Sequence, residues 1–434
     1  MVTRRHFLST GAAAAGSLIA LGASAKVARE ASGDAPAHLP PSIARLKSRR
    51  HEAKPISHEE RRARQEHARQ LMAEQKLDAI VIADGTSLDY FTAVKWWGSE
   101  RFFVAVLPAK GEPFYVCPAF EEGRAREQLA SGPDGEHPDV RTWQEDDSPY
   151  ERFAQGLRDR GVGTGRIGIE ETVRFVFVDG IAKVAPSAQL VSATPVTAGC
   201  RMIKSPAELA LMRLAAEVTL AAYEAAYLAI VPGMTEHDVS ELSRRAHDQL
   251  GFPGAADLVL VGEYSAFPHG SVAPQHIKEG TIVLFDGGCT VEGYVSDISR
   301  TFVLGKATDK MHAVFDAVHR AQSAALAAAR PGVECGAIDA AARKVITDAG
   351  YGPDYRHFTH RVGHGMGMDG HEWPYLVRGN PVKLAANMTT SNEPGVYIRG
   401  EFGVRLEDDM HVTESGAELF TPQSPSLEHP FARA

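Results

Sequence analysis

Gly280-Thr281-Ile282-Val283-Leu284-Phe285-Asp286 and Asn387-Met388-Thr389-Thr390-Ser391-Asn392-Glu393 are the two stretches whose comparison decides the fold. Each reads as a short strand that ends in a carboxylate just before a turn, Gly287-Gly288 in one case and Pro394-Gly395 in the other. Upstream, Pro232-Gly233 and a helical stretch ending at Gly251-Phe252 return, shifted by 99 positions, as Pro331-Gly332 and a helical stretch ending at Gly350-Tyr351. Downstream, a second acid closes each half: Asp297 in Tyr294-Val295-Ser296-Asp297 and Glu407 in Val404-Arg405-Leu406-Glu407. An internal repeat of this kind implies a duplicated unit. Two half-sites that face each other bring four carboxylates to one centre.

Taken singly, each acid reads equally well as a turn or exposed strand residue. Taken together they need a cation, because removing a carboxylate's charge from water costs several kcal/mol or more. The neighbourhood supplies one obvious basic residue, Arg405, expected to support Glu407 by charge pairing. Metal is the stronger solution. His364 in Gly363-His364-Gly365-Met366-Gly367 lies between residues of little bulk and offers a neutral imidazole. Asp286, Asp297, His364, Glu393 and Glu407 are too many ligands for one tetrahedral zinc, but they suit two divalent ions bridged by Asp297 and Glu407.

Around this centre the chain is ordinary in size and charge. Its 434 residues suggest two domains. With 23% charged and 44% hydrophobic residues, neither general disorder nor a polytopic membrane protein is expected. A net charge of -9 gives no attraction to phosphate backbones, so nucleic acid is not an expected partner. Cys117, Cys200, Cys289 and Cys335 lie far apart, which suggests neither a zinc cluster nor a disulfide framework.

At the N-terminus, Thr3-Arg4-Arg5-His6-Phe7-Leu8 precedes a small apolar run from Gly11 to Leu21, and Ala23-Ser24-Ala25 offers a cleavage site. This resembles a twin-arginine export signal over residues 1–25. The run falls short of the roughly 20 residues needed to cross a bilayer, so no permanent anchor is expected. The export machinery becomes a partner, and the mature protein is expected in the periplasm or secreted. Residues 26–58 are polar and proline-containing and read as a leader or linker. Residues 59–199 alternate helical stretches with short apolar runs such as Ala79-Ile80-Val81-Ile82-Ala83, which predicts an α/β domain. The second domain, residues 200–434, opens with Ser205-Pro206-Ala207-Glu208, a capping serine, a first-turn proline and a capping-box glutamate.

Asp286-Gly287-Gly288, Tyr294 to Phe302, Gly363 to Gly367 with His371-Glu372, Glu393-Pro394-Gly395 and Arg405-Leu406-Glu407-Asp408 together resemble the pita-bread metallopeptidases, and within them the Xaa-Pro dipeptidase (prolidase) branch. The resemblance covers about residues 59–425. It implies a creatinase-like N-terminal α/β domain followed by a pita-bread domain with internal pseudo-two-fold symmetry, an α+β arrangement. It further implies a homodimer, and ions that are manganese, cobalt or zinc; oxygen-dominated ligation favours manganese. His269 and His371 match substrate-contacting histidines of that family, and Glu393 is the candidate acid/base residue.

The chain departs from the family pattern at Ala255, where a tyrosine is common, at Asn387, where glycine is usual, and at Asn392, usually apolar. Arg378 is the expected receiver of a dipeptide's free carboxylate. The activity so implied is hydrolysis of Xaa-Pro dipeptides. Release of the N-terminal residue from longer Xaa-Pro peptides, as by aminopeptidase P, is the alternative. An amidinohydrolase or lyase on the same scaffold and a nonenzymatic peptide-binding protein stand behind both.

Overall fold

β1 (Ala79–Ala83) is buried at every position, and its side chains divide between two cores. Ile80 and Ile82 pack with Ala68, Met72 and Leu129, whereas Ala79 and Val81 pack with Phe153, Leu157 and Ile181. A strand apolar on both faces needs helices on both sides. In this computed structural model, which describes residues 38–135, 137–253 and 257–431, β1 lies inside a six-stranded sheet of order β4-β3-β2-β1-β5-β6. The other strands are β2 (Val104–Pro108), β3 (Phe114–Pro118), β4 (Asp139–Trp143), β5 (Arg166–Ile169) and β6 (Gln189–Ser192). β1 runs parallel to β5 and antiparallel to β2.

The C-terminal unit repeats one plan twice. In the first half the Pro206–Tyr227 and Glu236–Leu250 helices back β7 (Leu258–Val261), β8 (Thr281–Gly287) and β11 (Ile298–Leu304), with the small ribbon β9 (Thr290–Val291) and β10 (Tyr294–Val295) between. In the second half the Asp309–Ala328 and Cys335–Ile346 helices back β12 (Gly363–Gly365), β13 (Glu372–Leu376), β14 (Thr389–Asn392), β17 (Asp408–Val412) and β18 (Ala417–Leu419). A second ribbon, β15 (Gly395–Ile398) and β16 (Phe402–Arg405), links β14 to β17.

The 99-residue shift survives in detail. Gly251 ends one helix at φ 89° and Gly350 closes its counterpart at φ 88°; the bridge Thr235–His276 answers to Glu334–Lys383. The capping box at Ser205 is formed in full, with Ser205 Oγ accepting from Glu208 N and the Glu208 side chain accepting from Ser205 N. Asn387 sits at φ 68°, the left-handed region that glycine prefers and asparagine tolerates, which explains why asparagine can stand there. Asn392 is fully buried and its amide donates to Gln322 O at 2.9 Å.

The stretch expected as a leader or linker is, from residue 38 onward, packed into the core of the C-terminal unit. Ile43 and Ile56 are buried against Leu211 and Leu214, Ser42 Oγ donates to Ala225 O at 2.8 Å, and Arg49 N donates to Leu250 O at 2.9 Å. A few well-spaced apolar residues suffice to dock it, too few for periodicity to reveal. The export signal, residues 26–37 and Ala255 lie outside the described residues. Among the described residues no helix is long and apolar enough to cross a membrane.

One clamp joins the halves beside the acids. Arg300 on β11 and Asp408 on β17 are both fully buried and pair at 2.6 Å; Arg300 also donates to Glu407 O at 2.8 Å and to Pro422 O at 2.9 Å. Gln322 and Thr421 donate to the same carboxylate, at 3.0 and 2.7 Å. Removing one member strands the other's charge, so Asp408→Ala should cost about 3–5 kcal/mol of unfolding free energy in urea titrations. A loss under about 1 kcal/mol would contradict that role.

Candidate metal centre

The antiparallel strands of each half end together, and the acids sit at those ends. β8 and β11 carry Asp286 and, one residue ahead of β11, Asp297; β14 and β17 are followed and preceded by Glu393 and Glu407. Glu407 N donates to Ser299 O at 3.2 Å, and Thr301 Oγ1 donates to Arg405 O at 2.8 Å, so the halves meet where their acids are. Ligand atoms of Asp286, Asp297 and Glu407 lie within 4.8 Å of one another, as do those of His364, Glu393 and Glu407, and those of Asp297, His364 and His371. Asp297, Glu407 and His364 are thus each shared between two groupings, and of these only the two carboxylates have two oxygens with which to serve both.

His364 is placed by its flanking glycines. A Cβ on Gly363 would lie 2.2 Å from Ser391 O, and one on Gly365 2.2 Å from Trp373 O, both backbone atoms that cannot yield. The close approach lets His364 N donate to Ser391 Oγ at 3.0 Å. His364 Nδ1 lies 3.2 Å from Gly365 O, a carbonyl that can only accept, so the ring proton is on Nδ1 and the lone pair on Nε2. That nitrogen lies 3.3 Å from Glu393 Oε1 and 3.8 Å from Asp297 Oδ2. Burial first, then neighbouring His371, lowers His364 to about 3, which keeps the imidazole neutral and able to ligate.

Burial and mutual repulsion push Asp297 and Glu407 well above the carboxylate range; burial pushes Glu393 up to about 7, against the pull of Arg405. Arg405 is nearly fully buried and is the cation in contact with the acids, but its direct partner is Asp286, at 2.5 Å, and not Glu407, whose Oε2 is 3.9 Å from Nε. Ser299 stands between them. Its Oγ accepts from Arg405 Nε at 2.9 Å and lies 2.7 Å from both Asp286 Oδ1 and Glu407 Oε2, so it fills the span a direct Arg405–Glu407 pair would need. Arg405, even with Arg361 on the cavity wall, cannot balance four carboxylates. Carboxylate oxygens with one neutral imidazole are the donor set of hard divalent cations, and the residues fit them.

The cavity above this floor has a volume of about 400 Å³ and is lined by His269 and His371 at its exposed edge, with His360, Arg361 and Val377. The rings of His364 and His371 stack at 3.7 Å. His360 and Arg361 escaped the sequence reading. The available signal was their place just before Gly363-His364, on the same extended run. His360 is internally satisfied: its Nδ1 donates to Arg361 O at 2.8 Å, and its Nε2 accepts from Tyr397 OH at 2.8 Å, a hydroxyl that itself accepts from Arg405 Nη1 at 3.0 Å. Burial lowers His360 to about 3.

Arg378 does not line the cavity. It is exposed, pairs with exposed Asp354 at 2.9 Å and stacks over Tyr355 at 5.0 Å. It lies in the turn that follows β13, and only Val377 beside it reaches the wall.

Residues 210–414 match the model of metallopeptidase family M24, and residues 64–203 match the creatinase/prolidase N-terminal domain. A Xaa-Pro dipeptidase of Lactobacillus delbrueckii subsp. lactis is 33% identical over 362 residues, covering 82% of this chain and 96% of that protein. The crystal structure of dipeptidase PepE from Mycobacterium ulcerans superposes with a TM-score of 0.80 at 33% identity, over 86% of this chain and 99% of that one. That of an X-Pro aminopeptidase from Thermotoga maritima gives 0.72 at 26% identity, over 84% and 99%. With its acids, its histidine and both domains accounted for, the chain belongs to metallopeptidase family M24, a divalent-metal hydrolase with a creatinase-type domain ahead of a pita-bread catalytic unit.

Proposed function

We propose that this protein hydrolyses the Xaa-Pro bond of dipeptides with two divalent ions, manganese by the hardness of the ligand set, held by Asp286, Asp297, His364, Glu393 and Glu407. The observation that carries the reading is the overlap of the ligand groupings, in which the two-oxygen carboxylates Asp297 and Glu407 are each shared, as is His364. The dipeptidase names of relatives matching most of the chain support the substrate class. When bound, the ions polarise the scissile carbonyl and acidify the attacking water.

The protein's own groups do the rest. Glu393 takes the water's proton and passes it to the leaving nitrogen. His371, held neutral by burial and by Arg361, and His269 present N–H groups at the mouth to the substrate carbonyl as charge develops. Arg405 and Ser299 hold Asp286 and Glu407 in place. Aminopeptidase action on longer peptides is the second reading, favoured by the likeness to the Thermotoga enzyme. A homodimer and twin-arginine export into the periplasm complete the proposal; the latter rests on Arg4-Arg5 and the apolar run behind it.

Chelation should abolish turnover of Ala-Pro and manganese should restore it, with Ala-Pro-Gly cut at least about tenfold less efficiently if the free carboxylate is read by a charged group. Equal rates on both would favour the aminopeptidase reading. Asp297→Asn or Glu407→Gln should lower kcat by at least about a thousandfold while circular dichroism stays unchanged, since each removes a charge shared between two cations. Near-native activity at full metal content would sink the dinuclear reading. Arg4→Lys with Arg5→Lys should keep the protein in the cytoplasm; an unchanged periplasmic yield would reject export by this route.

A further inference from the structure

Two guanidinium groups line the cavity, and only one is spent. Arg405 is 3% exposed and committed to Asp286 at 2.5 Å, Ser299 at 2.9 Å, and Pro268 O and Tyr397 OH at 3.0 Å each. Arg361 is partly exposed, and no carboxylate pairs with it among the described residues. Its Nη2 donates to His371 Nδ1 at 3.0 Å, and its guanidinium carbon lies 4.4 Å from the centre of the Tyr375 ring. A guanidinium carries five N–H donors. The contact with His371 uses one, and the Tyr375 ring holds the plane without using any.

We propose that Arg361 receives the free C-terminal carboxylate of a two-residue substrate and so sets the enzyme's preference for dipeptides; the inference rests on the Xaa-Pro hydrolysis proposed above. Distance is the first argument. When the bond between residues one and two is cut, the carboxylate lies a single residue, about 3.8 Å of chain, beyond the scissile carbonyl. The receiving cation must therefore sit beside the reacting centre. Arg361 touches His371, whose ring nitrogen lies within 4.8 Å of ligand atoms of Asp297 and His364. Arg378, turned outward to Asp354, has no such place.

Charge is the second argument. With the floor's acids matched by the proposed ions and by Arg405, a substrate carboxylate still loses its hydration on entry and needs a charged donor of its own, and Arg361 is the guanidinium on the cavity wall with no carboxylate in ion-pair contact among the described residues. A peptide extended beyond proline offers a neutral carbonyl at that place and loses the charge-assisted, bidentate contact. The same arginine orients His371. An N–H of arginine can only donate, so His371 Nδ1 accepts and the ring carries its proton on Nε2. Substrate charge and histidine tautomer are thereby tied to one side chain.

The test is steady-state kinetics of the manganese-loaded protein on Ala-Pro and Ala-prolinamide, for the parent, Arg361→Ala and Arg361→Lys, with metal content and thermal midpoint measured on each. The parent should prefer the free acid by about 10- to 100-fold, and Arg361→Ala should bring that preference close to one, the loss of one charge-assisted bidentate contact. Arg361→Lys should recover part of it. Inhibition by free proline should weaken in parallel, and inhibition by prolinamide should not. Any common loss on both substrates reports the contact with His371; a free-acid preference unchanged in Arg361→Ala overturns the proposal. Turnover of neither substrate by the parent, at full metal content, would overturn the Xaa-Pro reading and the subsite with it.

Discussion

Repulsion among four carboxylates is the constraint that the rest of the catalytic unit answers to. Asp286, Asp297, Glu393 and Glu407 come from two halves of the chain and meet in one pocket, where burial and like charge drive Asp297 and Glu407 far above their ordinary range. Left to itself such a cluster would open. It is closed from outside by the buried Arg300–Asp408 pair, which ties β11 to β17 one residue away from Glu407. It is closed from within by Arg405 and Ser299, which span Asp286 and Glu407. What these groups do not neutralise is a demand for cations, and divalent ions meet it. Stability and metal binding draw on the same geometry.

Much of this was legible because a duplicated fold writes its signal twice. The Pro-Gly pairs at residues 232 and 331, the glycines at residues 251 and 350, and the paired acids keep their spacing because each repeat must form the same helix pair and the same antiparallel strands. The capping box at Ser205 was legible because it is a local, four-residue arrangement. Side-chain direction was not. Arg378 follows the His371 motif closely in sequence, yet β13 ends at Leu376, and in the turn that follows Val377 reaches the cavity while Arg378 faces solvent. Arg361 and His360 were hidden for the converse reason. They precede the glycine motif, and no rule of spacing says that Arg361 turns toward His371 while Tyr375, fourteen positions on, forms its floor. The partner of Arg405 was equally beyond reach, since Ser299 takes the space between it and Glu407.

The N-terminal domain is joined to the site at the start of β13, which His371 immediately precedes. His371 stacks on His364, and the next side chain, Glu372, points the other way. Glu372 is nearly buried and meets two cations: Lys204 at 2.6 Å, itself 1% exposed, and Arg201, which also holds Asp369 at 2.5 Å. Arg201 ends the Thr194–Met202 helix of the first domain, and Thr86, from the same domain, reaches Asp369 at 2.5 Å. A Cβ at Gly367 would lie 2.6 Å from Glu372 Oε1 and 2.8 Å from Lys204 Cε, so the glycine-rich run that presents His364 also makes room for this cluster.

A buried ion cluster of this kind is weak evidence for net stability, because the charges cost nearly as much to bury as their pairing returns. Its value lies in specifying one arrangement. Glu372 has Arg201, from the last helix of the first domain, and Lys204, from the junction that follows it, on one side and His371 as its chain neighbour on the other, so a slip of β13 by one residue would turn the acid into the catalytic cavity and the histidine out of it. Either consequence is prohibitive: a fifth acid among four, and two buried cations without a partner. The register of a single strand thus fixes how the first domain docks, where His371 stands, and through His371 where the Arg361 guanidinium is held.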